Sequence, residues 1–473
     1  MRQILRWKVE GGFVPAPLSG RLSEAVRADS ALEGAPFLLL FPPLWDHHGH
    51  VAVLGALLCQ ADLRGARSPG EAIERLRTTS AALAPGAWLE GFGWDQNLWE
   101  GGYPHRRLLD EAFPNRPVFL RRIDGHAAWV SSAALRAGDI GEPTPDPPGG
   151  IIFRENGIPT GLLLDSAMEP VAQKIPPPGP AELRRRLRSG LASLEAKGLC
   201  GATDMGLERA HVEALRQMEA EGEFPIPLDG YLDVARTGLD DLPVHRGAAF
   251  RVVGAKLYAD GALGSRGACL EEDYDDAPGE RGLLIWEPEA LNDLVGRSAA
   301  LGLPPAIHAI GDRAARIALD SLRAAGWPAG SRIEHAQLLA ESSIGRMREG
   351  GVIASIQPCH YLSDRAWVAQ RLGDRTQAAY PWGSLGRAGV PLLLGSDFPI
   401  EEPDPLRNLY ALLTREPASE RLTLAEALRA YAPPPGRLTH GRATIVACQA
   451  RPEEGTTAWL EGAVVRSMEE GGA

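Results

Sequence analysis

The chain has 473 residues, of which 44% are hydrophobic and 23% charged, a composition typical of globular proteins and unlike disordered or fibrous ones. Its 49 basic and 61 acidic side chains give a net charge of −12, which disfavours nucleic-acid binding by charge alone. The five cysteines are odd in number and widely spaced, which argues against a disulfide framework or a cysteine-based zinc site.

The N-terminal segment, residues 1–12, carries charges throughout and lacks the apolar stretch of a signal peptide. The sequence contains no apolar run of the roughly 18 residues that a membrane-spanning helix needs. We therefore expect a cytoplasmic protein that contacts neither nucleic acid nor membrane. Formation of a homodimer is left open.

Short apolar runs alternate with longer amphipathic stretches, the pattern of βα units around a parallel sheet. The eight strand-like runs are residues 37–41, 198–204, 226–232, 251–257, 304–308, 332–335, 352–357 and 391–396. Eight such units predict an α/β protein with a (β/α)8 TIM barrel. A doubly wound open sheet is disfavoured, because no G-x-G-x-x-G follows an early strand.

The interval between the first two predicted strands is too long for one crossover and contains proline-rich stretches at 143–150 and 176–180. We interpret about 88–180 as an insertion over one face of the barrel. The chain ends, 1–36 and 437–473, contain short β-like pieces and are expected to form a small β-domain. This division leaves residues 37–436 for the barrel.

Metal-binding residue types stand at the ends of four predicted strands. His48 and His50 follow the first run at a spacing that points both side chains the same way in a strand. His308, His335 and Asp397 end three later runs. Each residue alone is also compatible with a helix cap or a buried core position. Because a TIM barrel collects its strand ends on one face, the set together predicts a site for a divalent metal.

Lys256 lies within an apolar strand-like run, in a chain that contains only four lysines. A lysine is rarely buried without a partner. One interpretation pairs its ammonium group with Asp260 or Glu271 at the mouth of the strand. The other places it close to the predicted metal site.

The order D-x-H-x-H, Lys, His, His, Asp resembles the metal-dependent amidohydrolase superfamily, and longer stretches resemble its amidohydrolase-3, or YtcJ-like, branch. These stretches are GWDQNLW (93–99), RPVFLRRIDGHAAWVSSAAL (116–135), KLYADGALGSRGA (256–268), HAIGDRA (308–314), RIEHAQ (332–337), SIQPCH (355–360) and GSDFP (395–399). The resemblance covers about residues 40–430 and is specific, because the motifs are long and occur in the right order.

The resemblance implies roles residue by residue. The implied metal ligands are His48, His50, a carboxylated and bridging Lys256, His308, His335 and Asp397. The resemblance also places His126, in the DGH stretch, and His360, after the seventh strand, toward the site.

The insertion is rich in tryptophan, with Trp88, Trp94, Trp99 and Trp129. These rings either line a substrate pocket, with Trp94 as the candidate contact, or hold the insertion onto the barrel.

The implied reaction is hydrolysis of an amide or another non-peptide C–N bond by a metal-activated hydroxide. One or two divalent ions, most suitably zinc, would be the cofactor. Asp397 is expected to move the proton, and His335, His126 or His360 to stabilise the oxyanion. The alternatives are isomerisation, decarboxylation or C–O hydrolysis at the same site and, less favoured, a metal-binding protein without turnover.

Two segments depart from the family pattern. PPLWD (42–46) stands where the family has P-G-F-[IV]-D, and GRLTHGRATIVACQ (436–449) replaces PGKxADLVVLD. We therefore expect the small β-sandwich built from the chain ends to be trimmed or irregular. All of the implied metal-ligand positions are present.

Overall fold

The computed structural model describes residues 3–8, 13–16, 26–81, 83–240, 242–437, 442–452 and 457–469. The chain divides into two compact units, one formed by Met1–Val51 with Leu191–Ala473 and the other by Ala52–Gly190.

The described strands and helices are numbered in chain order. The strands are β1 (Gln3–Trp7), β2 (Phe13–Pro15), β3 (Phe37–Phe41), β4 (Trp45–Gly49), β5 (Ala61–Asp62), β6 (Leu89–Trp94), β7 (Val118–Arg122), β8 (Ala127–Val130), β9 (Gly150–Glu155), β10 (Ile158–Asp165), β11 (Gly201–Leu207), β12 (Leu228–Asp233), β13 (Phe250–Tyr258), β14 (Pro305–Ala309), β15 (Arg332–His335), β16 (Ile353–Ile356), β17 (Leu392–Leu394), β18 (Arg442–Cys448) and β19 (Val464–Glu469). The helices are α1 (Ser30–Glu33), α2 (Val51–Cys59), α3 (Pro69–Ala81), α4 (Arg106–Ala112), α5 (Ser132–Ala137), α6 (Glu169–Ala172), α7 (Pro180–Ala196), α8 (Arg209–Ala220), α9 (Val234–Thr237), α10 (Pro288–Ala300), α11 (Asp312–Ala324), α12 (Glu341–Gly350), α13 (Pro358–Asp364), α14 (Val368–Leu372), α15 (Trp382–Ala388), α16 (Pro405–Thr414) and α17 (Leu424–Ala430).

The larger unit contains a nearly closed barrel of eight parallel strands, in the order β17-β16-β15-β14-β13-β12-β11-β4. A parallel bridge between Gly49 and Phe398 brings the first strand next to the segment that follows the last one. Every residue of β4, β12 and β15 is buried, as expected for barrel strands covered on both faces. The predicted TIM barrel is confirmed.

Seven of the eight predicted runs overlap the barrel strands β11–β17. The prediction was wrong for residues 37–41, which form β3 and pair with β1 and β18 in a different sheet. The first barrel strand is β4 instead. An apolar run does not reveal its pairing partner, and Pro42 and Pro43, which lack N–H groups, separate the two strands.

The chain ends meet in a five-stranded sheet of order β19-β18-β3-β1-β2. β3 runs parallel to β1 and antiparallel to β18, so it joins the N-terminal strands to the C-terminal ones. Apolar residues on one side of this sheet, among them Leu38, Leu40 and Ile445, pack with Val26 and Leu32. Parts of the expected small β-domain (1–2, 9–12, 17–25, 438–441, 453–456 and 470–473) lie outside the described residues.

The unit Ala52–Gly190 is built on a six-stranded sheet of order β5-β6-β7-β8-β10-β9. Trp94, Trp99 and Trp129 pack in its apolar core, and α3 adds Ala72 and Leu76 to the same core. The unit therefore begins well before residue 88, where the sequence suggested that the insertion starts.

Among the described residues, no helix combines the length and apolar character that a membrane crossing requires.

Candidate metal centre

Three side chains able to bind a metal meet at the ends of strands β4, β15 and β17. One potential ligand atom each of His48, His335 and Asp397 lies within 4.8 Å of the others, and all three residues are buried. The Nε2 atom of His48 is 3.4 Å from Oδ1 of Asp397, and the rings of His48 and His335 are 4.9 Å apart between centroids. Two imidazoles and a carboxylate form a typical ligand set for zinc and similar divalent ions.

His50 and His308 border this cluster. The Nε2 atom of His50 lies 3.4 Å from Oδ1 of Asp397, and its side chain is 25% exposed. The ring of His308 is 4.5 Å from that of His335, between centroids. The structure thus brings all five imidazole and carboxylate residues of the predicted ligand set to one end of the barrel.

The backbone at two strand ends is unusual. His335 has φ = 73° and Asp397 has φ = 59°, a left-handed conformation that residues other than glycine seldom adopt. Such conformations persist where the surrounding structure holds them, often at functional sites. Asp397 is held by its backbone N–H, which donates to the carbonyl of His48 at 2.7 Å. The two residues therefore leave the regular strand geometry at the point where they join the cluster.

Lys256 is 1% exposed, and its Nζ atom has no hydrogen-bond partner among the described residues. Nζ lies 5.1 Å from the ring centroid of Tyr258. Burial lowers the pKa of Lys256 to about 8, although the carboxylates of Glu334 and Asp397 act in the opposite direction. A large fraction of this amine is therefore neutral near pH 8.

The two carboxylates considered as partners for Lys256 are engaged elsewhere. Asp260 accepts backbone N–H groups of Cys269, Ile310 and Gly311 at 2.8–3.0 Å. Glu271 forms an ion pair with Arg316 at 2.6 Å. The structure therefore does not support a cationic lysine paired with Asp260 or Glu271.

The protonation states of His308, His335 and Asp397 favour a bound cation. Burial lowers the pKa of His308 to about 3 and that of His335 well below its usual value, so both imidazoles are neutral. Burial alone would raise the pKa of Asp397, but His48 and His50 outweigh it and hold this pKa well below the usual range. Burial also opposes charge on His48, yet Asp397 and Glu334 raise the pKa of His48.

Several buried atoms of the cluster have no hydrogen-bond partner among the described residues. These atoms are Nε2 of His308, Nδ1 of His335 and Oδ1 of Asp397. Buried polar atoms are normally satisfied, so each such atom calls for an explanation. A divalent cation would satisfy these acceptors, and the residues present therefore fit one.

Sequence reasoning missed the polar residues beneath the cluster. The Nδ1 atom of His48 lies 2.5 Å from Oε2 of Glu334, and Glu334 forms an ion pair with Arg332 at 2.7 Å. Asp46 accepts the backbone N–H of His48 at 3.1 Å and the hydroxyl of Ser396 at 2.6 Å. Burial raises the pKa of Asp46 to about 6. The signal for Arg332 and Glu334 was present in RIEH, because two charges spaced i, i+2 in a buried strand point into the barrel.

His360 lies beside the cluster, with Nε2 3.6 Å from Oδ2 of Asp397 and its ring stacked on that of His335 at 5.8 Å. His126 belongs to the other unit, where its Nδ1 atom is 2.8 Å from Oδ1 of Asp165 and its side chain is 76% exposed. That His126 contacts substrate stays a prediction.

The structure corrects the suggestion that Trp94 contacts substrate. Trp94 is fully buried, its indole N–H donates to the carbonyl of Leu120 at 2.8 Å, and its ring stacks on Trp99 at 5.7 Å. A ring enclosed in a packed core has no free face for a ligand. Composition alone did not separate a pocket-lining tryptophan from a core one.

Comparison with known proteins agrees with this geometry. The family model described as "Amidohydrolase family" (Amidohydro_3) matches residues 38–440. YtcJ of Bacillus subtilis, named as an amidohydrolase, is 33% identical over 439 residues, which cover 88% of this chain and 81% of YtcJ. The N-substituted formamide deformylase of Arthrobacter pascens is 27% identical, with coverage of 82% of this chain and 77% of that protein. The crystal structure of an uncharacterized metal-dependent hydrolase from Pyrococcus furiosus matches with a TM-score of 0.73 and 29% identity, over 91% of this chain and 92% of that one. The chain is therefore a hydrolase that belongs to the Amidohydrolase family.

Proposed function

We propose that this protein hydrolyses an amide or another non-peptide C–N bond of a small molecule with the help of a divalent metal, most suitably zinc. The observation that carries the proposal is the buried cluster of His48, His335 and Asp397, whose ligand atoms lie within 4.8 Å of one another. The name of the Arthrobacter relative, an N-substituted formamide deformylase, supports a C–N bond as the target.

The residues that would hold the metal lie at or close to the ends of the barrel strands. They are His48, His50, Lys256, His308, His335 and Asp397. When bound, a divalent cation supplies positive charge that polarises a carbonyl group and makes a nearby water more acidic. The neutral imidazoles of His308 and His335 and the anionic Asp397 are in the protonation states that such a cation requires.

Asp397 is the group that we propose to move the proton. Its carboxylate is anionic near neutral pH and therefore has a free acceptor for the proton of the attacking water, which a bound cation would make more acidic. Protonation of the leaving nitrogen then returns Asp397 to its starting state. We propose that His335 and His360, whose Nε2 atom lies 3.6 Å from Oδ2 of Asp397, donate to the developing oxyanion. The resemblance adds His126 as a proposed substrate contact.

We propose that Lys256 reacts with carbon dioxide and acts as a bridging carbamate. In this step the lone pair of Nζ forms a bond to the carbon of carbon dioxide, one C=O π bond breaks as its electrons move to oxygen, and Nζ releases a proton to water, which leaves a carbamate anion. The step requires a neutral amine, which the lowered pKa of Lys256 favours. The buried Nζ atom without a partner supports the proposal, because a carbamate would give this position an anion suited to two cations.

A panel of amides, including N-substituted formamides, tests the proposed reaction. The purified protein loaded with zinc is incubated with each compound, and the release of ammonia or amine is measured. We expect release from at least one class of amide, and we expect Asp397→Asn to abolish it. A protein that binds zinc but cleaves only C–O bonds, or that rearranges its substrate without hydrolysis, would contradict the proposal.

A further inference from the structure

We propose that Glu334 is a positioning residue that fixes the tautomer and orientation of the His48 imidazole, so that Nε2 of His48 faces the metal centre. The proposal rests on the proposed function only in taking His48 as a metal ligand. The observation behind it is the 2.5 Å contact between Nδ1 of His48 and Oε2 of Glu334, made inside the barrel, where both side chains are fully enclosed.

The contact determines where the proton of His48 lies. An ionised carboxylate only accepts hydrogen bonds, so the Nδ1 atom facing Glu334 must carry a hydrogen. A neutral imidazole has one ring hydrogen, and Nε2 therefore keeps its lone pair. This Nε2 atom lies 3.4 Å from Oδ1 of Asp397, on the side of the cluster that would hold the cation. Hydrogen bonds of this kind orient metal-bound histidines in many proteins.

Glu334 is itself held in place by Arg332. The guanidinium Nε atom lies 2.7 Å from Oε1 of Glu334, and one NH2 group of Arg332 donates to the carbonyl of His47 and to the hydroxyl of Ser355, both at 2.8 Å. The guanidinium carbon also lies 5.2 Å from the ring centroid of Tyr231. With its partner fixed on three sides, the carboxylate has little freedom to turn away from His48.

Stability alone is a weak reason for this ion pair. The interior of a TIM barrel is usually filled with branched apolar side chains. A buried ion pair contributes little net stability compared with apolar residues of similar volume, because both charges lose their hydration. Orientation of a ligand histidine gives the pair a role that apolar side chains would not provide.

The variant Glu334→Gln reverses the proposed hydrogen bond with little change in shape. Arg332 has only donors, so it will attract the amide oxygen and leave the amide NH2 group facing Nδ1 of His48. That arrangement favours the His48 tautomer whose ring hydrogen lies on Nε2. A protonated Nε2 atom has no lone pair with which to bind a cation. We expect the affinity of the metal-free variant for Zn²⁺, measured by competition with a chromogenic chelator, to fall about 10- to 100-fold.

Asp229→Asn is the matched control. Asp229 is 2% exposed and forms ion pairs with Arg251 and Arg437, and it lies at the start of β12, away from the strand ends that form the cluster. This variant also removes a buried carboxylate from an arginine pair. We expect it to lower the melting temperature and to leave zinc affinity within about twofold of the wild type.

A double variant, Arg332→Met with Glu334→Met, addresses the case in which Glu334→Gln does not fold. It removes both buried charges, so the barrel should stay folded by circular dichroism, yet zinc affinity should still fall at least tenfold. In the cobalt-loaded form, the visible absorption bands of the variants should differ from those of the wild type.

Zinc affinity equal to that of the wild type in Glu334→Gln, or in the folded double variant, would overturn the positioning role. A wild type that binds no divalent ion would overturn it as well. A wild type that binds zinc tightly and hydrolyses no amide would contradict the proposed reaction and leave the positioning role standing.

Discussion

The Nε2 atom of His48 lies 3.4 Å from Oδ1 of Asp397, while the backbone N–H of Asp397 donates to the carbonyl of His48 at 2.7 Å. His48 belongs to the first barrel strand, and Asp397 follows the last one. The candidate metal centre therefore depends on contact between the two strands that close the barrel, through both backbone and side-chain atoms.

Gly395 allows the close approach of the segments that carry His48 and Asp397, and Gly395→Ala should disrupt this approach. A Cβ atom at position 395 would lie 2.4 Å from the backbone nitrogen of His48, so the two strands would have to separate. We expect a loss of about 1–3 kcal/mol in the free energy of unfolding and weaker zinc binding. The control Gly296→Ala, in α10 with no atom within 4 Å of the new Cβ, should be neutral or gain up to about 1 kcal/mol. Equal stability and zinc affinity in the two variants would contradict the close approach.

Asp397→Asn should impair proton transfer while leaving the fold intact. The amide keeps the size of the side chain but accepts no proton near neutral pH, so turnover should fall at least about 100-fold. Zinc affinity should fall as well, because an anionic ligand is lost, whereas the melting temperature of the metal-free protein should change little. Turnover within about tenfold of the wild type at full zinc occupancy would show that another group moves the proton.

Lys256→Ala should lose metal and activity, because the proposed carbamate requires an amine at this position. A short carboxylic acid such as acetate, added in solution, should restore part of both by placing an anion in the vacated space. Lys256→Arg should fail as well, since a guanidinium stays charged and repels the cations. Mass spectrometry of the native wild type should show one added carbon dioxide. Retention of metal and activity in Lys256→Arg would rule out the carbamate.

The buried thiol of Cys200 should make stability fall at alkaline pH. Burial raises the pKa of Cys200 to about 12, whereas an unfolded thiol ionises near pH 8.5. The unfolded state therefore loses its proton first, and the contribution of Cys200 to stability, complete below pH 8.5, is lost progressively as the pH rises toward 12. We expect the free energy of unfolding, measured with urea, to fall between pH 8 and pH 10.5 by about 2 kcal/mol more in the wild type than in Cys200→Ala. An unchanged difference between the two proteins would mean that the thiol is not enclosed.

The sequence was most informative where local pattern and chemistry coincide. The strands β11–β17 were predictable because each is a short apolar run followed by a helix-forming stretch. The strand-end residues His308, His335 and Asp397 were recognisable because parallel strands of a barrel deliver their ends to one face. The pairing of β3 with β1 and β18 was not predictable, since a hydrophobic run is compatible with any sheet that buries it.

The environment of individual side chains was harder to predict. Trp94 and Lys256 are both buried, yet Trp94 completes a core while the Nζ atom of Lys256 lacks a partner, and only the three-dimensional neighbours distinguish them. Glu334 was missed because its partners, His48 and Arg332, are brought to it by barrel closure and by strand alternation. Left-handed backbone at His335 and Asp397 likewise arises from tertiary constraints that no local propensity predicts.

We propose above all that the buried cluster of His48, His335 and Asp397 holds a divalent metal. The most direct measurement is the metal content of the purified protein, determined by inductively coupled plasma mass spectrometry, beside that of a folded His48→Ala, His335→Ala double variant. We predict one to two equivalents of a divalent ion, mainly zinc, per wild-type chain and less than about a tenth of an equivalent in the variant. Hydrolytic activity in a wild type that contains no metal, or an equal metal content in both proteins, would contradict it.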